Sequence, residues 1–304
     1  MTQTSFTGLV AATHTPFHAD GSLNLAVVEK QAEHMLASHV KTVFIGGSTG
    51  ESHSLTLPER QALSQRWSEV MRGTPLQLIV HVGSNCLSDA KTLAAQAEKL
   101  GAMAISALAP SYFKPRSIEL LVACAADIAA AAPATPFYFY DIPTLTNVHF
   151  SMSKFLSLGQ DRIPTLAGIK FTNTDLMAYQ MCLHADAGKW DILFGCDECL
   201  LAALALGAKG AVGSSYNFAA PIYHRLIEAF ERGDLTAARK QQLRSVQLIQ
   251  LLDSLGYVGA AKAVMEMLGV PVGPARLPNN NLTTEQSVEL RRTLEEMDFF
   301  NWLK

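Results

Sequence analysis

Phe137-Tyr138-Phe139-Tyr140-Asp141 and Leu166-Ala167-Gly168-Ile169-Lys170 are two short apolar runs, each ending on a polar residue. Neither alternates apolar with polar side chains, so both read as strands buried on two faces. Working outward, further apolar runs begin near Leu9, Thr42, Leu76, Ala102, Asp191 and Ala211. Successive runs lie roughly 20 to 35 residues apart, which leaves room for a helix in every interval. The helices announce their ends. Thr56-Leu57-Pro58-Glu59 has the spacing of a capping box with a proline in the first turn. Ser88 is expected to cap a helix over 89–100 that stops at Gly101, and a helix over 198–206 is expected to stop at Gly207. An open doubly wound sheet would carry a glycine-rich turn after its first strand, and Thr13-His14-Thr15-Pro16 is unlike one. The pattern therefore predicts an α/β fold, a parallel (β/α)8 TIM barrel.

After Pro221 no further strand signal appears, only amphipathic runs over 237–255 and 284–297. No Pro/Gly/Ser linker divides them off. The expected organisation is a barrel over 1–220 with additional C-terminal helices over 221–304 packed on it, one structural domain.

The 304 residues are 49% hydrophobic and 17% charged, ample for a large core. A net charge of −3 with no basic stripe argues against nucleic acid or an anionic membrane as partner. The first six residues, Met1-Thr2-Gln3-Thr4-Ser5-Phe6, do not resemble a signal peptide. The longest uncharged apolar stretch, over 128–140, is broken by Pro133 and Pro136 and is too short to span a bilayer. Five scattered cysteines, Cys86, Cys124, Cys182, Cys196 and Cys199, suit a reducing, cytoplasmic setting. Cys196-Asp197-Glu198-Cys199 has CxxC spacing without a second pair, so small apolar packing is expected of it, not metal binding.

Barrel chemistry gathers at the C-terminal ends of strands. Lys170 ends one such strand, where stripping the amine of water disfavours its charge and favours attack on a carbonyl. A lone lysine there would more simply extend to solvent, but this one has company. Tyr140 ends the preceding strand and is suited to carry a proton. Gly46-Gly47-Ser48-Thr49-Gly50-Glu51-Ser52 follows the second strand, with glycines and hydroxyls that form a concavity for a carboxylate or phosphate. It lacks the lysine of a nucleotide-binding loop. Asp197 and Glu198 follow the seventh strand, either as helix-start acids or as acceptors for a ligand's hydroxyls. Gly213-Ser214-Ser215-Tyr216-Asn217 adds small polar donors after the eighth. Together these fit a Schiff-base enzyme handling a 2-oxo acid joined to a polyhydroxylated partner.

The same strings, with Leu193-Phe194-Gly195-Cys196-Asp197-Glu198 and Gly273-Pro274-Ala275-Arg276-Leu277-Pro278, resemble the N-acetylneuraminate lyase and dihydrodipicolinate synthase superfamily of class I aldolases. The resemblance covers nearly the whole chain and is greatest to N-acetylneuraminate lyases of the animal type. It implies that Lys170 is the Schiff-base nucleophile and Tyr140 the proton-transfer residue. It also implies that Ser48 and Thr49 bind the substrate carboxylate, and that Thr172, Gly195, Asp197, Glu198 and Ser214 line the pocket for the sugar chain. Tyr112 is the counterpart of a tyrosine that the family donates from a neighbouring subunit, and a homotetramer is implied. The synthase branch has two threonines in the second-strand motif and an arginine just beyond the fifth-strand proline. Ser48 and Leu145 stand at those positions here. Asp141 and Ser215 depart mildly from the lyase pattern and bear on substrate choice.

The resemblance therefore implies reversible cleavage of N-acetylneuraminate to N-acetylmannosamine and pyruvate, with no cofactor and no metal. The alternatives are an aldolase or dehydratase acting on another 2-oxo sugar acid, such as 2-keto-3-deoxygluconate, and a non-catalytic sugar-acid-binding barrel.

Overall fold

The computed structural model describes residues 5–304, so Met1 to Thr4 of the N-terminal stretch discussed above lie outside it. Eight parallel strands close into a barrel in sequence order: β1 (Gly8–Ala12), β2 (Thr42–Ile45), β3 (Gln77–His81), β4 (Ala104–Leu108), β5 (Phe137–Asp141), β6 (Leu166–Phe171), β7 (Asp191–Phe194) and β8 (Gly210–Gly213). Helices α1 (Val27–Ala37), α2 (Leu57–Met71), α3 (Leu87–Lys99) and α4 (Ile118–Ala129) follow the first four strands. The fifth crossover holds a single turn, α5 (Pro143–Thr146), and α6 (Met152–Gly159), and α7 (Leu176–Leu183) and α8 (Leu200–Ala205) follow β6 and β7. Helix α9 (Tyr216–Glu231) follows β8 and contains Pro221, with the helical geometry broken just before it at Ala219.

Side-chain alternation divides each strand between two cores. Phe137 and Phe139 face the helices, whereas Tyr138 and Tyr140 face the interior with Val10, Phe44, Ile79, Leu193 and Val212. That inner packing is what makes the barrel a filled core. Its lower end is closed by Asp191, which accepts hydrogen bonds from the Phe6 amide at 2.9 Å and the Tyr138 hydroxyl at 2.7 Å.

Two helix starts differ from the sequence expectation. α3 begins at Leu87, with Cys86 at its N-cap, because Ser88 lies inside the first turn, where its carbonyl accepts from Thr92. Ser84 instead accepts from the Cys86 amide. The segment from Asp197 opens as a 3-10 turn (Asp197–Cys199) before α8, because Cys199 leaves helical geometry. The capping box at Thr56 and Glu59 forms, and Gly101 and Gly207 take the left-handed conformation.

Four more helices complete the chain: α10 (Leu235–Ser254), α11 (Tyr257–Met267), α12 (Thr284–Glu296) and α13 (Phe299–Trp302). α10 packs along α9 and buries Leu248 and Leu252 completely. Each such leucine stabilises the fold by about 1.5–3 kcal/mol. Among the described residues no single helix is long and apolar enough to cross a membrane. α10 and α11 pass by length and composition only as a pair bent by 115°.

Candidate active site

The register of β5 on β6 brings the two reactive side chains together. It slips by one residue between Phe137 and Tyr138, and after the slip Tyr140 is paired with Lys170. Lys170 is 4% exposed, with its amine 3.9 Å from the centre of the Tyr140 ring and 4.1 Å from that of Phe44. Phe44 and His81 meet the Tyr140 ring edge-on, with centroids 5.8 and 5.7 Å away. Burial and the neighbouring Arg60 hold the His81 imidazole well below its ordinary pKa, so it is neutral. It is fixed by a hydrogen bond to the Gly46 carbonyl at 2.9 Å. Aromatic rings thus wall the lysine in, and the Tyr140 hydroxyl emerges to meet Ser48 Oγ at 3.2 Å.

Ser48 and Thr49 lie in the loop after β2. Gly46 takes a left-handed backbone, and so does Glu51, a rarer choice for a residue with a side chain. The Glu51 amide donates to the Ser48 carbonyl at 3.0 Å, and Thr15 Oγ1 donates to the Gly50 carbonyl at 2.6 Å. The two hydroxyl-bearing residues are therefore held in a closed turn beside Tyr140.

A cavity of about 400 Å³ opens above this floor. Thr172, Gly195, Asp197, Glu198 and Ser214 line it together with Lys170, Tyr140, Ser48 and Thr49. Gly195 is needed where it is: a Cβ there would lie 2.1 Å from Thr172 Oγ1. Thr172 Oγ1 and Asp197 Oδ1 are buried without a hydrogen-bond partner among the described residues. The two acids divide in environment. Asp197 is 5% exposed, and its Oδ2 accepts from the Ser215 amide at 2.9 Å and the Ser215 hydroxyl at 2.5 Å. Burial pushes its carboxyl up to about 6. Glu198 is only partly buried and faces the cavity.

Sequence reasoning passed over the cavity's outer wall. Ile249, Asp253, Tyr257 and Val258 come from α10 and α11, far from any strand end. Tyr257 meets Ser214 Oγ at 2.7 Å through its hydroxyl. His14, which follows β1, lines the cavity too, its pKa lowered to about 3 chiefly by burial and then by Lys262. Strand-end position alone would have flagged His14; nothing in the local sequence flags Tyr257. Leu145 stands on the rim, 64% exposed. Cys196 and Cys199 remain free thiols, and among the described residues no cluster of His, Cys, Asp and Glu is arranged to hold a metal ion.

Asp141 and Ser215, expected to bear on substrate choice, do not line this cavity, and neither does Tyr112. It is 75% exposed beside Phe113, 86% exposed, the rings packed edge-on at 5.0 Å. The loop is ordered by Asn85 Oδ1, which accepts from the amides of Ser111 and Tyr112.

Residues 5–297 match the Dihydrodipicolinate synthetase family. N-acetylneuraminate lyase of Mus musculus is 37% identical over 97% of this chain and 93% of its own length, and N-acetylneuraminate lyase A of Xenopus laevis is 40% identical over 89% and 90%. The solved N-acetylneuraminate lyase (sialic acid aldolase) of Aliivibrio salmonicida superposes with a TM-score of 0.94 at 40% identity, covering 99% of both chains. A strand-six lysine packed on a strand-five tyrosine in a closed eight-stranded barrel thus coincides with similarity along the whole chain: it belongs to the dihydrodipicolinate synthetase family.

Proposed function

We propose that the protein is a Schiff-base aldolase that reversibly cleaves N-acetylneuraminate to N-acetylmannosamine and pyruvate. The observation that carries this reading is the buried Lys170 amine against the Tyr140 ring, at the floor of a cavity lined by hydroxyls and carboxylates. The amine adds to the C2 ketone of the open-chain sugar acid and water leaves, giving an iminium. That cation withdraws electrons from the bond two carbons away. As the bond breaks, the adjoining hydroxyl becomes the aldehyde of N-acetylmannosamine and its proton returns to the Tyr140 oxygen, which gave its own to the departing water. The enamine left on Lys170 takes a proton at carbon, and water releases pyruvate and the free amine.

Ser48 and Thr49 hold the carboxylate. The unpartnered Thr172 Oγ1 and Asp197 Oδ1 support a polyol above it, since buried polar atoms without partners cost about 1–3 kcal/mol each until a ligand's hydroxyls satisfy them. We further infer a homotetramer in which Tyr112 reaches a neighbouring subunit's site, supported by an exposed aromatic pair that does not line its own cavity. A cytoplasmic setting is supported by five free thiols. Residues 221–304 are read as part of the same structural domain as the barrel, supported by the ion pair between Glu51 and Lys262.

Pyruvate with borohydride should attach irreversibly to Lys170, as the imine is reduced to a secondary amine. Lys170→Ala should stay folded and lose both labelling and turnover. Labelling elsewhere, or none, sinks the aldolase. Comparing turnover of N-acetylneuraminate, N-glycolylneuraminate and 2-keto-3-deoxygluconate fixes the substrate, and a preference for the last overturns the sialic acid assignment.

A further inference from the structure

The loop that carries Ser48 and Thr49 ends on Glu51, whose carboxylate is fully buried, its Oε1 2.6 Å from Nζ of Lys262 in α11. Its Oε2 accepts from the Arg276 amide at 2.7 Å and from Asn279 Nδ2 at 3.4 Å. The Lys262 side chain is 1% exposed and also donates to the carbonyls of Thr15 at 2.9 Å and Pro274 at 2.8 Å. Thr15 in turn holds the Gly50 carbonyl. One ammonium therefore joins the loops after β1 and β2 to the C-terminal helices.

Burying two charges costs several kcal/mol per ion, and a pair of apolar side chains would serve packing as well or better. The ion pair needs a reason beyond stability. The active site supplies one. With Leu145 on the rim and no arginine among the described residues lining the cavity, the substrate carboxylate depends on the neutral donors of Ser48 and Thr49. Such donors work only when held to within about 0.5 Å. Glu51 lies three residues beyond Ser48 in a left-handed backbone that its surroundings have to enforce.

We propose that Lys262, acting through Glu51, is a positioning residue for the carboxylate-binding turn, so that affinity for the 2-oxo acid end of the substrate is set from the C-terminal helices. This rests on the aldolase reading above. The test is the pyruvate concentration needed for half-maximal borohydride labelling of Lys170, with KM and kcat for N-acetylneuraminate, in the full-length protein. Lys262→Met should raise the half-saturating pyruvate and KM by about tenfold or more. Labelling at saturation should stay complete, and kcat within a few-fold. Glu51→Gln, which keeps the size and one acceptor, should move the same ratio and serves if the methionine variant does not fold. Val264→Ala, a cavity in the same helix away from the ion pair, should lower Tm and leave pyruvate saturation unchanged. Should Lys262→Met and Glu51→Gln fold and saturate at the wild-type pyruvate concentration, or Val264→Ala shift saturation equally, the ion pair is only a fold element and the inference fails. An unlabelled wild-type enzyme would instead overturn the aldolase reading itself.

Discussion

The floor of the cavity and its outer wall are built by different physics. The floor consists of strand ends, where barrel register fixes Tyr140 beside Lys170 and aromatic rings exclude water from the amine. The wall consists of turns and late helices, where Glu198 lines the cavity and Ser214 and Tyr257 meet across a long stretch of sequence. Chemistry that must not vary suits the rigid floor; selection among sugars suits a wall whose residues change without disturbing the barrel. If that division holds, floor substitutions act on kcat, and wall substitutions act on the sugar acid while sparing pyruvate.

Tyr140→Phe tests the floor most sharply. It removes one hydroxyl and keeps the ring that packs on Lys170, Phe44 and His81. A general acid–base group contributes about 10² to 10⁴ in rate, so kcat should fall in that range while pyruvate labelling persists. A kcat within threefold of wild type, with only KM changed, would make the hydroxyl a carboxylate-orienting group and leave the proton without its carrier.

Asp197 belongs to the wall by position but behaves as a buried group, and pH separates those descriptions. Burial raises its carboxyl from the ordinary 3.8 to about 6. The folded protein then binds the proton more tightly than the unfolded chain. The stability this contributes is fully present below about pH 4 and is lost as pH rises through 6. The span is on the order of 2 to 3 kcal/mol. Asp197→Asn should flatten Tm against pH between 4 and 7. A variant that keeps the wild-type slope would show that Asp197 is ionised throughout and faces the cavity as a charge.

Glu198→Ala should weaken sugar-acid cleavage by about 1–3 kcal/mol in kcat/KM, since it strands a substrate hydroxyl without its acceptor. Half-saturating pyruvate should hardly move. Equal losses for both substrates would return Glu198 to the role of a helix-start acid.

How legible these regions were from sequence follows from the same difference. Strands announce themselves through continuous apolar runs, so an end residue such as Lys170 or Tyr140 can be located from its own neighbours. The floor needs little more, because barrel closure in sequence order puts consecutive strand ends side by side. Ser88 reads as a cap because Ser84 and Cys86 offer no cue that the helix begins two residues earlier, at Leu87. Tyr257 had no local signature either. It follows Gly256 at the start of an ordinary amphipathic helix, and only the packing of α10 and α11 against α9 delivers its hydroxyl to Ser214. Lys262 was hidden for the same reason: its partner lies 211 positions earlier, at Glu51.

Tyr257→Phe carries the smallest expected effect and probes the wall at its least predictable point. The hydroxyl and Ser214 Oγ are 2.7 Å apart and either atom is able to donate. Burial pushes the phenol well above its ordinary pKa, so it stays protonated and remains a donor at every working pH. If the phenol donates to Ser214, the serine hydrogen is free to point into the cavity at a sugar oxygen. Removing the phenol oxygen leaves the ring in place and lets that hydrogen rotate. A neutral hydrogen bond contributes about 0.5–1.5 kcal/mol, so KM for N-acetylneuraminate should rise by roughly two- to tenfold with kcat and pyruvate labelling preserved. Ser214→Ala should match it, and the double variant should add little, because both single changes break one shared arrangement. Fully additive losses would mean that Tyr257 and Ser214 touch the sugar independently. The wall would then be a set of separate contacts instead of a coupled pair spanning the barrel and its C-terminal helices.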